Sequence, residues 1–275
     1  MMTTPTLALN DGRHIPQLGL GTWQISNSDA ARTVAEAIAI GYRHVDTAAV
    51  YQNEQGVGQG ILASGVARDQ IFVTTKLWNA DQGYDGARRA LDQSLARLKL
   101  DAVDLHLIHW PCPAQGKALE SWKALIQAQR EGKAKSIGVS NFRAEDLERI
   151  MGETGVTPAV NQIELHPWLQ QRALRELHAR HGIITESWSP LARGGNLLSD
   201  ATLVRIAAKH QKTVAQVVLR WHVQLGLVVI PKSVHPERLR ENLAVFDFTL
   251  DDADLGAIAQ LDVGKRVGPN PAVFV

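Results

Sequence analysis

The chain has 275 residues, of which 45% are hydrophobic and 21% charged, a balance typical of globular proteins with a large apolar core. Its 29 Lys and Arg residues nearly balance 28 Asp and Glu residues, so the composition argues against a nucleic-acid-binding or membrane-surface protein. The single cysteine, Cys112, excludes an internal disulfide framework.

Strand-like runs alternate with helical patterns along the chain. TLALNDGRHIP, near the start, predicts a β-hairpin with its turn at Asn-Asp-Gly. Segments such as 85–100 and 117–133 carry apolar residues at helical spacing. Strand-like segments lie at 18–23, 42–46, 71–76, 102–110, 134–141, 159–165, 182–188 and 226–233. This alternation predicts a parallel α/β fold.

Two parallel architectures fit this alternation: a closed (β/α)8 barrel and an open, doubly wound sheet. The open dinucleotide-binding sheet requires a glycine-rich turn directly after its first strand. The nearest pattern, at 56–60, lies in a helical stretch instead. We therefore predict a (β/α)8 TIM barrel with an N-terminal β-hairpin, formed as one domain by residues 1–275.

Polar or reactive side chains recur where the predicted strands end. In a parallel barrel all these ends open onto the face on which active sites are built. Each residue alone would be unremarkable on a solvated rim, but the whole set favours an active site. The set comprises Asp46, Lys76, His109, Ser140, Asn141, Gln162, Trp188, Lys232 and Ser233.

The residue types in this set indicate proton-transfer chemistry. Tyr51 follows Asp46 closely enough for the intervening loop to return its phenol to the same face. A phenol has a pKa near 10, which Lys76 beside it would lower, and Asp46 would hold Lys76 ionised. His109 would hydrogen-bond a substrate oxygen or relay a proton. We therefore expect a proton donor beside an oxygen that gains negative charge.

Metal and hydrolase chemistry fit the sequence less well. His106 and His109 are three residues apart in a predicted strand, so their side chains would point to opposite sides. No HExxH, paired-cysteine or GxSxG pattern occurs. We expect no metal site, and nothing marks the thiol of Cys112 as activated.

These residues resemble the aldo-keto reductase family over nearly the whole chain. GYRHVDTA at 41–48, followed by Tyr51, is similar to the family's first signature, and IPKSVHPERLREN at 230–242 is similar to its C-terminal signature. HWP at 109–111 and GVSNF at 138–142 lie in the expected order between them. ESWSPLARG and VFDFTL most resemble the bacterial 2,5-diketo-D-gluconate reductase branch.

The resemblance implies an NADPH-dependent carbonyl reductase, with Tyr51 as general acid in a catalytic tetrad. The implied tetrad is Asp46, Tyr51, Lys76 and His109. The implied cofactor-binding residues are Ser140, Asn141, Gln162, Trp188, Ser189, Leu191, Lys232, Ser233, Val234, His235, Arg238, Glu241 and Asn242. The implied substrate-binding residues are Trp23, Val50, Trp78, His109 and Trp110, although the tryptophans could instead be core residues.

Within this implied cofactor site, Lys232, Ser233 and Arg238 would meet the adenosine 2′-phosphate. Two cations and a hydroxyl suit a phosphate dianion, whereas an NAD-selective site would place a carboxylate on the ribose diol. His235 stands where many relatives carry Thr or Arg, and a neutral imidazole there would supply one hydrogen bond.

Two other functions remain open at the level of sequence. One is a cofactor-binding regulatory subunit with little turnover, and the other is a lyase or isomerase in which Lys76 forms a Schiff base. The intact tetrad favours the reductase, because a binding module needs no tuned Tyr-Lys-Asp group.

The short tail, residues 262–275, predicts an open pocket that suits small polar carbonyls rather than steroids. Expected substrates are 2,5-diketo-D-gluconate, methylglyoxal and short β-keto esters; folding of Phe274 over the mouth is the alternative.

The sequence shows no signal-peptide pattern and no apolar run of about 18 residues. We therefore expect a cytoplasmic monomer whose partner is a small-molecule substrate.

Overall fold

Parallel strands form the centre of the fold in the computed structural model, which describes residues 4–274. A hairpin of β1 (Thr6–Ala8) and β2 (His14–Pro16) comes first, as predicted. The eight-stranded sheet contains β3 (Leu20–Gly21), β4 (His44–Asp46), β5 (Phe72–Leu77), β6 (Val103–Ile108), β7 (Ala134–Ser140), β8 (Val160–Glu164), β9 (Ile184–Trp188) and β10 (Val228–Val229). Residues 1–3 and 275 of the predicted domain lie outside the described part.

The two edges of the eight-stranded sheet meet and close it. Strand neighbours follow chain order from β3 to β10, and every pairing is parallel. Leu18 then forms a parallel bridge with Val229, and the Gly21 amide donates to the Pro231 carbonyl at 3.1 Å. The predicted (β/α)8 barrel is therefore confirmed.

Helices surround the barrel, and local side chains determine where several of them begin. Ser26 Oγ accepts a hydrogen bond from the Asp29 amide at the start of the first helix, and Thr213 forms a capping box with Gln216. The helices are α1 (Asn27–Ile40), α2 (Glu54–Ala63), α3 (Tyr84–Leu98), α4 (Ala118–Arg130), α5 (Ala144–Thr154), α6 (Arg172–His181), α7 (Ala201–His210), α8 (Val214–Gln224), α9 (Pro236–Leu243) and α10 (Asp252–Ala259).

The glycine-rich pattern at 56–60 lies within α2, as expected, and serves close helix packing. A Cβ at Gly56 would lie 2.1 Å from the carbonyl oxygen of Asn27 in α1. A Cβ at Gly58 would lie 2.1 Å from the carbonyl oxygen of Leu98 at the end of α3. The missing side chains therefore allow α2 to approach both neighbours, which accounts for the pattern without a phosphate site.

The eight predicted strands are all present, but several are shorter than expected. The predicted strand at 226–233 is regular only over Val228–Val229, and the one at 18–23 only over Leu20–Gly21. Hydrogen bonds continue past these bounds, for example from the Ile230 amide to the Ser187 carbonyl, outside the regular ladder. The chain therefore leaves the regular pairing as it enters the loops.

Apolar side chains close the barrel at the end opposite those loops. Leu9 and Ile15 of the hairpin region pack with Leu105, Leu107 and Val228 in one buried cluster. Larger clusters lie between strands and helices. Because the hairpin covers this end, the polar strand ends are left to form a site at the other. We propose that residues 1–275 make a single domain around this barrel.

Candidate active site

A cleft of about 820 Å³ lies at the ends of the barrel strands. The structure brings most of the predicted site residues to its walls: Trp23, Asp46, Val50, Tyr51, Trp78, His109, Trp110, Ser140, Asn141, Gln162, Trp188, Ser189, Leu191, Lys232 and Arg238. Other lining residues were not predicted: Gly21, Gln24, Pro190, Arg193, Leu198, Ile230, Pro231 and Pro269.

Lys76, near the end of β5, lies directly beneath the cleft. Its side chain is wholly buried, and Nζ donates hydrogen bonds to Asp46 Oδ1 at 2.5 Å and to the Thr47 carbonyl at 3.0 Å. Burial, the largest single influence, would lower the pKa of Lys76, but the charge and hydrogen bond of Asp46, together with Tyr51 and Glu186, raise that pKa overall. The ammonium group therefore stays charged.

The third polar contact of Lys76 Nζ is with the Tyr51 hydroxyl. A short 3-10 helix, Ala49–Tyr51, follows β4 and brings the phenol oxygen to 3.5 Å from Lys76 Nζ. Burial raises the pKa of Tyr51, and Lys76 lowers it by a smaller amount. The sequence predicts that the cation dominates, but in this structure desolvation has the larger effect, and the phenol keeps its proton at neutral pH.

His109 directly follows β6, the strand beside β5, and its side chain lines the cleft. Its ring centroid is 5.7 Å from that of Tyr51 and 5.3 Å from that of Trp78, both in edge-on contact. Burial, with a further contribution from Lys76, holds the pKa of His109 well below its usual value. The imidazole is therefore neutral and carries one N–H donor. His106 Nδ1 contacts the Thr75 carbonyl at 3.3 Å, and His106 does not line the cleft.

A row of polar side chains connects β7, β8 and β9 along the cleft. Ser140 Oγ donates to the Gln162 carbonyl at 2.8 Å, and Gln162 Nε2 donates to Asp46 Oδ2 at 2.8 Å. Asn141 has a positive φ of 64° and accepts a hydrogen bond from Trp188 Nε1 at 2.8 Å. This row holds the indole of Trp188 at the cleft wall next to amide and hydroxyl groups.

Two cations, Lys232 and Arg238, line a further part of the cleft. Neither side chain forms an ion pair among the described residues, so both are available to an anion. Lys232 lies between β10 and α9, whereas Arg238 lies within α9.

Five of the predicted cofactor residues do not line the cleft in this structure. Ser233 Oγ accepts a hydrogen bond from the His235 amide at 3.1 Å, just before α9. Glu241, in the same helix, accepts from Thr213 Oγ1 at 2.5 Å. The five residues are Ser233, Val234, His235, Glu241 and Asn242, and they all lie in or just before α9.

The hydrogen-bond donors and acceptors that line the cleft suit the binding of NADP(H). The amides and the hydroxyl of Ser140, Asn141 and Gln162 match a carboxamide, and Trp188 presents an aromatic ring beside them. Lys232 and Arg238 match a phosphate dianion. Both sets line one cleft, so these residues fit the cofactor.

Two buried glutamates near the site were missed by the sequence reasoning. Glu186 in β9 is fully buried, lies 3.7 Å from His44, and has no hydrogen-bond partner for either carboxylate oxygen among the described residues. Glu164 ends β8 and is also fully buried. A charged residue within a strand-like apolar run, as in AVNQIEL and GIITESW, was the signal that could have found them.

Within residues 4–274, no group of three or more His, Cys, Asp or Glu side chains is arranged to hold a metal ion. None of the helices described combines the length and the apolar character that crossing a bilayer requires. Burial raises the pKa of the Cys112 thiol to about 11, which disfavours the reactive thiolate.

Residues 17–263 match the profile of the Aldo/keto reductase family. Among curated relatives, methylglyoxal reductase DkgA of Salmonella typhimurium is 54% identical over 275 residues, covering 99% of each chain. The DkgA protein of Escherichia coli strain K12 is 53% identical over 275 residues, again covering 99% of each.

Solved structures show the same relationship. A variant of Gox0644 in complex with NADPH superposes with a TM-score of 0.96, at 52% identity over 100% of both chains. An aldo/keto reductase from Brucella melitensis superposes with a TM-score of 0.92, at 57% identity over 95% of this chain and 99% of the other. With its barrel, its cleft and these relatives, the chain belongs to the aldo/keto reductase family and is an NADP-dependent oxidoreductase.

Proposed function

We propose that this enzyme uses NADPH to reduce small polar aldehydes and ketones to alcohols, with Tyr51 as the proton donor. The observation that carries the proposal is the buried Lys76, held by Asp46 and placed 3.5 Å from the Tyr51 hydroxyl at the cleft. A binding subunit would gain nothing from this arrangement, because burying a charged pair is costly.

The proposed reaction divides the work between the cofactor and the tetrad. When bound, NADPH supplies the hydride that reaches the carbonyl carbon. The Tyr51 hydroxyl donates its proton to the carbonyl oxygen, which becomes the alcohol. The phenolate left on Tyr51 is stabilised by the Lys76 ammonium, and Asp46 keeps that ammonium oriented.

His109 orients the substrate in this mechanism. A neutral imidazole can donate one hydrogen bond to the carbonyl oxygen without competing with Tyr51 as the acid. Trp78 packs edge-on against the imidazole at 5.3 Å, which limits the ring's rotation. The carbonyl oxygen would then lie between the phenol and the imidazole.

We assign the cofactor contacts by the same chemistry. Ser140, Asn141 and Gln162 would hold the carboxamide, and Trp188 would stack on the nicotinamide. Ser189 and Leu191 would line the pyrophosphate. Lys232 and Arg238, with Ser233, Val234 and His235, would hold the 2′-phosphate end, and Glu241 and Asn242 would meet the adenine.

The walls of the cleft indicate the size of the substrate. Trp23, Val50, Trp78 and Trp110 line the cleft, and we assign them to substrate contacts. The tail narrows the cleft, because Phe274 lines it and packs on Trp110 with ring centroids 4.4 Å apart, so the alternative to the expected open pocket applies. A mouth narrowed in this way favours small carbonyls, and the two DkgA relatives carry the name methylglyoxal reductase.

The test is a panel of carbonyl substrates, with NADPH consumption followed by absorbance. We expect steady turnover with methylglyoxal and 2,5-diketo-D-gluconate, and a kcat/KM for a steroid ketone at least tenfold lower. NADH should support the reaction more weakly than NADPH. NADPH binding without turnover on any carbonyl would favour the regulatory subunit and contradict the proposal.

We also propose that the enzyme works as a monomer in the cytoplasm, with the small-molecule carbonyl as its partner. The proposed tetrad and the residues assigned to the cofactor belong to a single copy of the chain, which is sufficient for the proposed reaction. Sedimentation velocity across a range of protein concentrations tests this: a concentration-independent species of 30.1 kDa is expected.

A further inference from the structure

The C-terminal tail, residues 262–274, returns from α10 across the barrel mouth. The amides of Val263 and Lys265 donate to the Trp168 carbonyl at 3.2 and 3.0 Å. Pro269 and Phe274 then line the cleft, with Phe274 against Trp110. The tail is thus a wall of the cleft even though it contains no helix or strand.

Glu164, at the end of β8, binds the middle of this tail. Its Oε1 accepts hydrogen bonds from the Val267 amide at 2.5 Å and from His166 Nε2 at 2.9 Å. Its Oε2 accepts from the Gly268 amide at 3.1 Å and lies 3.8 Å from a guanidinium nitrogen of Arg266. Both oxygens of one buried carboxylate therefore hold consecutive tail residues.

The electrostatics of Glu164 agree with a carboxylate rather than a neutral acid. Burial by itself would raise its pKa, but the hydrogen bonds from His166 and from the tail amides lower it. A fully buried charge is costly unless donors surround it, and here the tail supplies two of the three hydrogen bonds.

The segment that Glu164 holds lies against Trp188. A Cβ added to Gly268 would lie 2.3 Å from Trp188 Cη2. The tail backbone therefore packs directly on the indole ring and leaves no room for a side chain at position 268. On its other side, the indole Nε1 donates to Asn141. Trp188 is therefore fixed between the tail and the polar row of the cleft.

We propose that Glu164 is a positioning residue for the reduction. By fastening Val267 and Gly268, it fixes the tail against Trp188 and Trp110, and so sets the wall shared by the nicotinamide and the substrate. This inference rests on the proposed function, but the attachment of the tail can be measured without any turnover.

The first test replaces the carboxylate in Glu164→Gln. The amide keeps the size but turns one oxygen into an NH₂ donor, which faces a donating backbone amide. We expect tryptic cleavage after Lys265 and Arg266 to become at least tenfold faster. We also expect the Kd for NADPH, followed by tryptophan fluorescence, to rise about threefold to tenfold, and KM for carbonyls to rise more than kcat falls.

Gly268→Ala provides a second variant that leaves Glu164 intact. The added methyl group must displace either the tail or Trp188, so the same rise in KM and in the NADPH Kd is expected. Glu120→Gln is the matched control, because Glu120 lies exposed on α4 and pairs only with Lys123 among the described residues. Its cleavage rate and kinetic constants should equal those of the wild type.

The outcomes separate the two proposals. Faster cleavage with an unchanged KM and NADPH Kd in Glu164→Gln would overturn the positioning role. Cleavage at the wild-type rate in a folded variant, shown by an unchanged Tm, would overturn the attachment itself. If the wild type reduced no carbonyl, the proposed function would fail, while cleavage and NADPH binding would still report on Glu164. If Glu164→Gln does not fold, Gly268→Ala decides.

Discussion

The buried cation at position 76 has an energetic cost that the proposed proton transfer would explain. Transferring a charged pair from water to a barrel interior is often no more stabilising than apolar packing. Lys76 nevertheless lies fully buried with Asp46, and its remaining neighbour toward the cleft is the Tyr51 hydroxyl. The pair places a fixed positive charge where a phenolate would form.

Arg238 should discriminate between the two nicotinamide cofactors. Only NADPH carries the 2′-phosphate, so Arg238→Ala should weaken NADPH binding roughly 10- to 150-fold, the loss of a charge-assisted contact of about 1.5–3 kcal/mol. NADH binding should change much less. Fluorescence titration with each cofactor measures both constants, with Arg240→Ala, in the same helix but away from the cleft, as the control. Equal weakening of NADPH binding and NADH binding would mean that Arg238 does not contact the 2′-phosphate.

Among single residues, those of the site that lie at strand ends could be predicted from the sequence. Such positions are identifiable because the strand pattern shows where each strand stops and the parallel topology brings the ends together. Glu164 was missed because its partners, Val267 and Gly268, are more than 100 positions away in the chain. Arg193 was missed because its loop has no periodicity from which a direction could be inferred.

Among the elements, α2 depends on glycine for its packing. Gly58→Ala would place a methyl group 2.1 Å from the Leu98 carbonyl oxygen, so α2 and α3 must move apart. We expect a loss of about 1–3 kcal/mol in the free energy of unfolding, measured by urea denaturation. Gly152→Ala in α5 is the matched control, since nothing lies within 4 Å of its added Cβ. That control should be neutral or stabilising by up to about 1 kcal/mol. An unchanged stability in Gly58→Ala would contradict this packing.

The type and order of the elements followed from periodicity, whereas their bounds did not. Strands such as β5 and β6 are continuous apolar runs buried on both faces, which is typical of parallel sheets. Strand ends depend on hydrogen bonds to neighbours, such as that from Gly21 to Pro231, which no local pattern specifies. The tail is rich in Gly and Pro, so its path across the mouth could not be read from periodicity.

For the molecule as a whole, Glu186 links stability to pH. Burial and the charge of Asp46 raise its pKa to about 8, from 4.5 in the unfolded chain. Between these values the folded state holds a proton that the unfolded state releases, so stability falls as pH rises toward 8. Each pH unit in this window lowers the free energy of unfolding by about 1.4 kcal/mol.

Glu186→Gln should remove this contribution. Its free energy of unfolding, relative to that of the wild type, should increase between about pH 6.5 and pH 8. The window lies above the titration of His44, whose pKa burial lowers to about 4. Urea denaturation at several pH values measures the difference, and exposed Glu120→Gln should show none. A difference independent of pH would mean that Glu186 is ionised in the folded protein.

The central claim is that Tyr51 donates the proton, and single-turnover reduction of methylglyoxal by Tyr51→Phe tests it most directly. The substitution removes one hydroxyl and should leave the Kd for NADPH within about threefold of the wild type. We predict that the rate of NADPH oxidation falls by about 10²- to 10⁴-fold, the usual contribution of general acid catalysis. A variant that keeps more than about a tenth of the wild-type rate, with NADPH bound, would contradict the account.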